Sequence, residues 1–224
     1  MLNYQGTLDH VFTLAHEMGH ALHSYYSDAN QPFVNAGYKI FVAEVASTCN
    51  ESLLIHHLLK ETDDKETKAY LINHFLEQFK GTLYRQTMFA EFEKITHKMV
   101  EDGETLTSDV LCEVYYDLNR QYFGEEMVLD EEISLEWARI PHFYNPFYVY
   151  QYATGISAAI TLSRKIMEEG EKGVADYMKF LTGGGSKDPI ELLKLAGVDM
   201  TSKEPVEKAL ELFRELLGQM EELV

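Results

Sequence analysis

The stretch FTLAHEMGHALHSYYS, residues 12–27, sets His16, Glu17, His20 and His23 within eight positions. From Leu8 onward, apolar or small residues fall at Leu8, Val11, Phe12, Ala15, Gly19, Leu22 and Tyr26, the three-and-four spacing that predicts one helix with a single buried face. Thr7 suits the N-cap, and Asp9 suits the first turn, where the helix dipole favours a carboxylate. On such a helix His16 and His20 leave the same side one turn apart, close enough to hold one ion through their ring nitrogens. Glu17 lies about 100° further round, where a carboxylate can serve as base toward a water beside the metal without ligating it. His23 shares the histidine face one turn beyond His20, and reads either as a further site residue or as a hydrogen-bonded structural histidine.

A catalytic zinc usually has three protein ligands and an open position, so a third donor is expected from elsewhere. FVAEVASTCNE, residues 41–51, is the best source: Glu44 begins a second predicted helix and Glu51 follows two turns later on the same face. Glu44 would complete a His-His-Glu set, and Glu51 could accept the outer N–H of a ligand histidine. Both glutamates sit among Val, Ala, Cys and Leu, where an unpartnered carboxylate would be costly to bury. His10, His56, His57, His74 and His97 lack comparable spacing.

The chain has 224 residues, 46% of them hydrophobic, enough for a sizeable core and too apolar for disorder. Its 19 Lys+Arg against 37 Asp+Glu give a formal charge of -18, which repels a phosphate backbone, so no nucleic-acid partner is expected. The acidity itself reads as solvated helix faces. Cys49 and Cys112 form neither a disulfide framework nor a thiolate metal site, which fits a reducing cytoplasm. MLNYQGTLDH does not read as a signal peptide. The uncharged run at residues 141–163 carries Asn, Gln, Ser, Thr and four tyrosines, and reads as a buried amphipathic segment rather than a membrane span.

Helical periodicity continues along the chain, so the expected class is mainly α, with little or no sheet. After a loop at SDANQPF, residues 27–33, a helix resumes over residues 39–60. A long helix is expected over roughly residues 65–101 and another near 107–122, with a tyrosine-rich helix after Pro146 and three more toward the C-terminus. TGGGSKDP separates two of the last three. The one extended piece expected is short, at Met1 to Gln5.

TLDHVFTLAHEMGHALHSYYS, FVAEVASTCNE and IPHFYNPFYVYQYATG, together with MFAEFE and GGGSKDPIELLKLAGVDM, resemble the C-terminal catalytic part of oligoendopeptidase F, in the M3 family of zinc oligopeptidases related to thimet oligopeptidase. The likeness runs over essentially the whole chain, and implies that residues 1–224 are that catalytic part without the N-terminal part of the family. It implies a zincin-like multi-helix domain, one Zn2+ per chain on His16, His20 and Glu44, and Glu17 activating water to hydrolyse internal bonds of short unstructured peptides. It also implies that the stretch holding His142, Tyr148 and Tyr152 supplies donors to the developing oxyanion. Self-association, or pairing with a separate N-terminal portion, is expected to cover apolar surface that the absent part would leave open.

Two other readings stand beside this one. A zinc-binding but catalytically incomplete fragment is opposed by the intact Glu17. A di-metal carboxylate bundle needs two Glu-x-x-His pairs; Glu17 and His20 supply one, whereas Glu93 and His97 have the wrong spacing.

Overall fold

In the computed structural model of the chain, which describes residues 3–223, Thr7 caps the first helix, its side chain accepting a hydrogen bond from the His10 N–H at 3.3 Å. Helix α1 runs Leu8–Asn30, α2 Phe33–Ala36, α3 Ile40–Glu61, α4 Lys65–Phe79, α5 Arg85–Glu101, α6 Ser108–Phe123, α7 Tyr150–Glu169, α8 Glu171–Leu181, α9 Pro189–Leu195 and α10 Glu204–Leu223. The class is mainly α, and no strand occurs among the described residues. Met1 and Leu2, where the extended piece was expected to begin, lie outside the described residues, and Asn3, Tyr4 and Gln5 form no strand. None of the helices, among the described residues, is long and apolar enough to cross a membrane.

The differences from expectation are local. Ser27–Asn30 continue α1 instead of opening the loop, and Phe33–Ala36 add a short helical turn. The long helix expected over residues 65–101 is interrupted by a π-helical turn at Lys80–Tyr84, which periodicity cannot register because it changes the pitch over only five residues. Two 3-10 segments, Glu131–Arg139 and Pro141–Tyr144, precede α7, which starts at Tyr150, four residues beyond Pro146.

The chain divides into two compact units, one made of residues up to Phe79 and from Thr154 onward, the other of Lys80–Ala153. In the first, Val42, Val45, Ala46 and Cys49 of α3 pack with Ala158, Ala159 and Leu162 of α7, Phe180 and Leu181 of α8, and Leu192 and Leu193 of α9. A glycine seats α1 closely on α3: a Cβ on Gly19 would lie 2.5 Å from the Ser47 Cα and 2.8 Å from the Ala46 carbonyl oxygen. The glycine-rich loop after α8 is pinned by the Gly185 N–H, which donates to the Asn35 carbonyl at 2.7 Å, with Gly184 at φ +52.

The expected buried face of α1 is corrected at one position. Leu22 is exposed, and His23 occupies the core side with Phe12, Gly19 and Ser27. Placing apolar residues inside by periodicity fails here because His23 is stacked at 3.8 Å, 5° from parallel, on Tyr38 and lies 4.9 Å from Phe180, so aromatic stacking covers it.

The second unit has its own aromatic core. Met88, Phe89 and Phe92 of α5 meet Tyr115 and Leu118 of α6, with Ile140 and Val149 from the connecting segments. Glu136, brought in by the first 3-10 segment, accepts the Tyr115 hydroxyl at 2.6 Å and the guanidinium groups of Arg85 and Arg139.

Candidate metal centre

His16 and His20 stand one turn apart on α1, their rings 4.8 Å between centroids and nearly perpendicular. The close seating at Gly19, between the two histidines in sequence, brings the second turn of α3 against them. Glu44 Oε2 lies 3.1 Å from His16 Nε2 and 3.6 Å from His20 Nε2. One ligand atom from each of the three residues lies within 4.8 Å of the others, and this is the one such donor group found among the described residues. Ligands about 2.0–2.1 Å from a tetrahedral zinc sit about 3.3 Å apart, so two imidazole nitrogens and a carboxylate oxygen at these separations fit that ion in chemistry and in span.

The donors are held from behind. His16 Nδ1 is 2.7 Å from Glu51 Oε1, and Gln78 of α4 donates to the other oxygen of Glu51. A proton kept on Nδ1 leaves Nε2 with the lone pair a metal needs. Ser47 donates to the Glu44 carboxylate at 3.3 Å, and Asn50 donates to the Ala15 carbonyl at 2.6 Å, tying α3 to α1 beside the donors. Gln78 and Asn50 carry no signal in the sequence, since each acts across a helix packing that only the fold brings about.

Burial disfavours charge on His16, but hydrogen bonds to Glu44 and Glu51 and their negative charge outweigh it, and its pKa rises to about 10. The Glu44 carboxyl is held below its ordinary range, chiefly by the His16 hydrogen bond and against its own burial. Both shifts describe a pocket that attracts positive charge, which a proton on Nε2 or a metal cation can supply.

Glu17 is exposed on α1, one residue beyond His16. His23, the alternative site residue, is not in the donor group; it is fully buried, and neither ring nitrogen has a hydrogen-bond partner in the protein. In the second unit, His142 lies on the 3-10 turn, with its ring 5.7 Å from that of Tyr148 and 19° from parallel. The Tyr152 hydroxyl is 3.5 Å from both His142 Nε2 and the Tyr148 hydroxyl. Tyr148 precedes α7 and Tyr152 lies in its first turn, with the two rings 5.6 Å apart.

Two histidines four apart on one helix with a glutamate from a second helix make a donor set of the kind that holds zinc in metallopeptidases. The sequence profile of peptidase family M3 matches residues 1–212, and the chain belongs to that family. It is 54% identical over 224 residues to Oligopeptidase PepF of Bacillus subtilis (strain 168), covering 100% of this chain and 33% of that protein. To the chromosomal Oligoendopeptidase F of Lactococcus lactis subsp. cremoris it is 46% identical, covering 100% of this chain and 37% of that one. The crystal structure of oligoendopeptidase-F from Enterococcus faecium superposes with a TM-score of 0.86 at 45% identity, over 96% of this chain and 39% of that chain. The chain therefore spans about a third of the length of the relatives it matches.

Proposed function

We propose that this chain is the catalytic, C-terminal part of a zinc endopeptidase that hydrolyses internal bonds of short unstructured peptides, with one zinc held by His16, His20 and Glu44. The observation that carries the reading is the convergence of those three donors with Glu51 behind His16. Bound zinc would supply a Lewis acid that polarises the scissile carbonyl and acidifies water. Glu17 takes a proton from the attacking water and passes it to the leaving amide nitrogen. Glu51 keeps the His16 proton on Nδ1 and so orients the ring. His142, Tyr148 and Tyr152 are assigned the donation of hydrogen bonds to the carbonyl oxygen as it gains charge, on the strength of the family resemblance.

Intact Glu17 favours turnover over mere metal storage. Membership in a family whose relatives are oligopeptidases supports the substrate class. Contact with an N-terminal portion, or self-association, belongs to the same reading. Two free cysteines, one of them buried, suit a reducing cytoplasm.

The test is zinc content and cleavage of a quenched fluorescent peptide, measured on one preparation beside Glu17→Gln. About one zinc per chain with cleavage that Glu17→Gln abolishes is the expected result. Zinc held by both proteins with cleavage by neither would leave the incomplete-fragment reading, and absence of zinc binding would overturn both.

A further inference from the structure

The last residue of MFAEFE, Glu93, is 3% exposed in α5. Its Oε1 accepts the backbone N–H of Phe147 at 2.9 Å, while Oε2 is buried with no partner in the protein. Phe147 has φ 58 and is, among the described residues, the one non-glycine residue with positive φ. Pro146 followed by a positive φ is the order of a type II turn, where glycine or asparagine is favoured. A phenylalanine there is strained and persists only if its surroundings hold it. One turn beyond Glu93, the His97 ring packs 4.7 Å from that of Phe147, and His97 Nδ1 lies 2.7 Å from the Glu93 carbonyl oxygen. The arms of the turn are anchored too: Phe143 packs on Phe89 and Phe92, and Val149 is buried. His142 stands on the first arm and Tyr148 on the second.

We propose that Glu93 is a positioning residue, which holds the turn at Phe147 and through it the mutual arrangement of His142, Tyr148 and Tyr152. Burial raises the Glu93 carboxyl above its ordinary range, against the Phe147 hydrogen bond and the His97 charge. A carboxyl in that setting accepts the Phe147 N–H whether or not it is ionised, so glutamine would serve in its place. The assignment rests on the peptidase reading for what the cluster does, and on the geometry alone for what Glu93 holds.

The test compares Glu93→Leu, Glu93→Gln, Phe147→Gly and the Glu93→Leu/Phe147→Gly double variant in the full chain. Three quantities are read: amide exchange at Phe147, the ring resonances of His142, and kcat and KM on a quenched peptide. Glu93→Leu is expected to speed Phe147 exchange about tenfold or more beyond any change in α5, and to move the His142 resonances. Glu93→Gln should keep both parental, and in the Phe147→Gly background, where the strain is gone, Glu93→Leu should change exchange far less. Turnover should fall in kcat with KM nearly unchanged for Glu93→Leu and return with Glu93→Gln. Where Glu93→Leu does not fold, Glu93→Asp, which withdraws the acceptor by one methylene, carries the same expectation. Unchanged exchange and resonances, a uniform loosening of α5 with kcat intact, or Glu93→Gln behaving as Glu93→Leu would each overturn the assignment. If exchange and resonances respond as expected while even the parent chain cleaves nothing, the positioning stands and the peptidase reading falls.

Discussion

His16 and His23 stand two turns apart on α1 and are pushed in opposite directions, His16 up to about 10 by its two glutamates against burial and His23 down to about 4 by burial, with His20 adding to the effect. For His23 the unfolded chain binds the proton more readily, so stability is full above the ordinary histidine range and is lost as pH falls from about 6.5 toward 4. About 2 kcal/mol should go between pH 7 and pH 5 from this residue. His23→Phe, which keeps the stacking, should flatten that part of the profile in denaturant titrations at the two values. Behind the donors, Glu51→Gln should weaken zinc binding roughly 10- to 100-fold, because the acceptor of the His16 N–H loses its charge; competition with a chelator measures it. The donor group of His16, His20 and Glu44 could be anticipated because the two histidines share a helical spacing and Glu44 stands as an isolated charge in an apolar stretch. Gln78 could not, since its partner Glu51 lies 27 positions away on another helix.

At the level of elements, Gly19 decides how near α1 comes to α3. Alanine there would gain about 1 kcal/mol of helix propensity, but its Cβ would meet Ser47 backbone at 2.5 Å, which only a shift of one helix can relieve. Gly19→Ala is therefore expected to lose about 1–3 kcal/mol net and to hold less than one zinc per chain, read by thermal unfolding and metal analysis. Gly81, in the π-helical turn, has no positive φ, and a Cβ added there would meet nothing within 4 Å. Gly81→Ala should be neutral or stabilise by up to about 1 kcal/mol, which the same melting experiment checks. Helix existence was readable from the apolar period and the caps, whereas the π turn and the two 3-10 segments were not. The two 3-10 segments lie against the second unit's core, where Trp137 and Phe143 pack on the cluster that holds Phe89, Phe92 and Tyr115.

For the whole molecule, a metal bound only by the folded chain adds stability by mass action. Zinc at a hundredfold its Kd should raise the unfolding free energy by about 2.7 kcal/mol. His16→Ala should abolish that increment without abolishing folding, since His16 is only partly buried; denaturant melts with and without a chelator decide it. The three donors all belong to the first unit. Phe92→Ala, which opens a cavity in the second unit's core at a cost of about 3–5 kcal/mol, should accordingly leave zinc stoichiometry in the native chain unchanged. By itself the sequence determined the mainly helical class, the first cap, and the residues able to bind a metal, because helical period, capping and ligand chemistry are local properties. Only the tertiary structure decided that Glu44 meets both histidines, that His23 is core, and that a buried glutamate holds a strained phenylalanine 54 positions away. These depend on which helix faces come together, and that is set by the packing of the whole chain rather than by any short stretch of it.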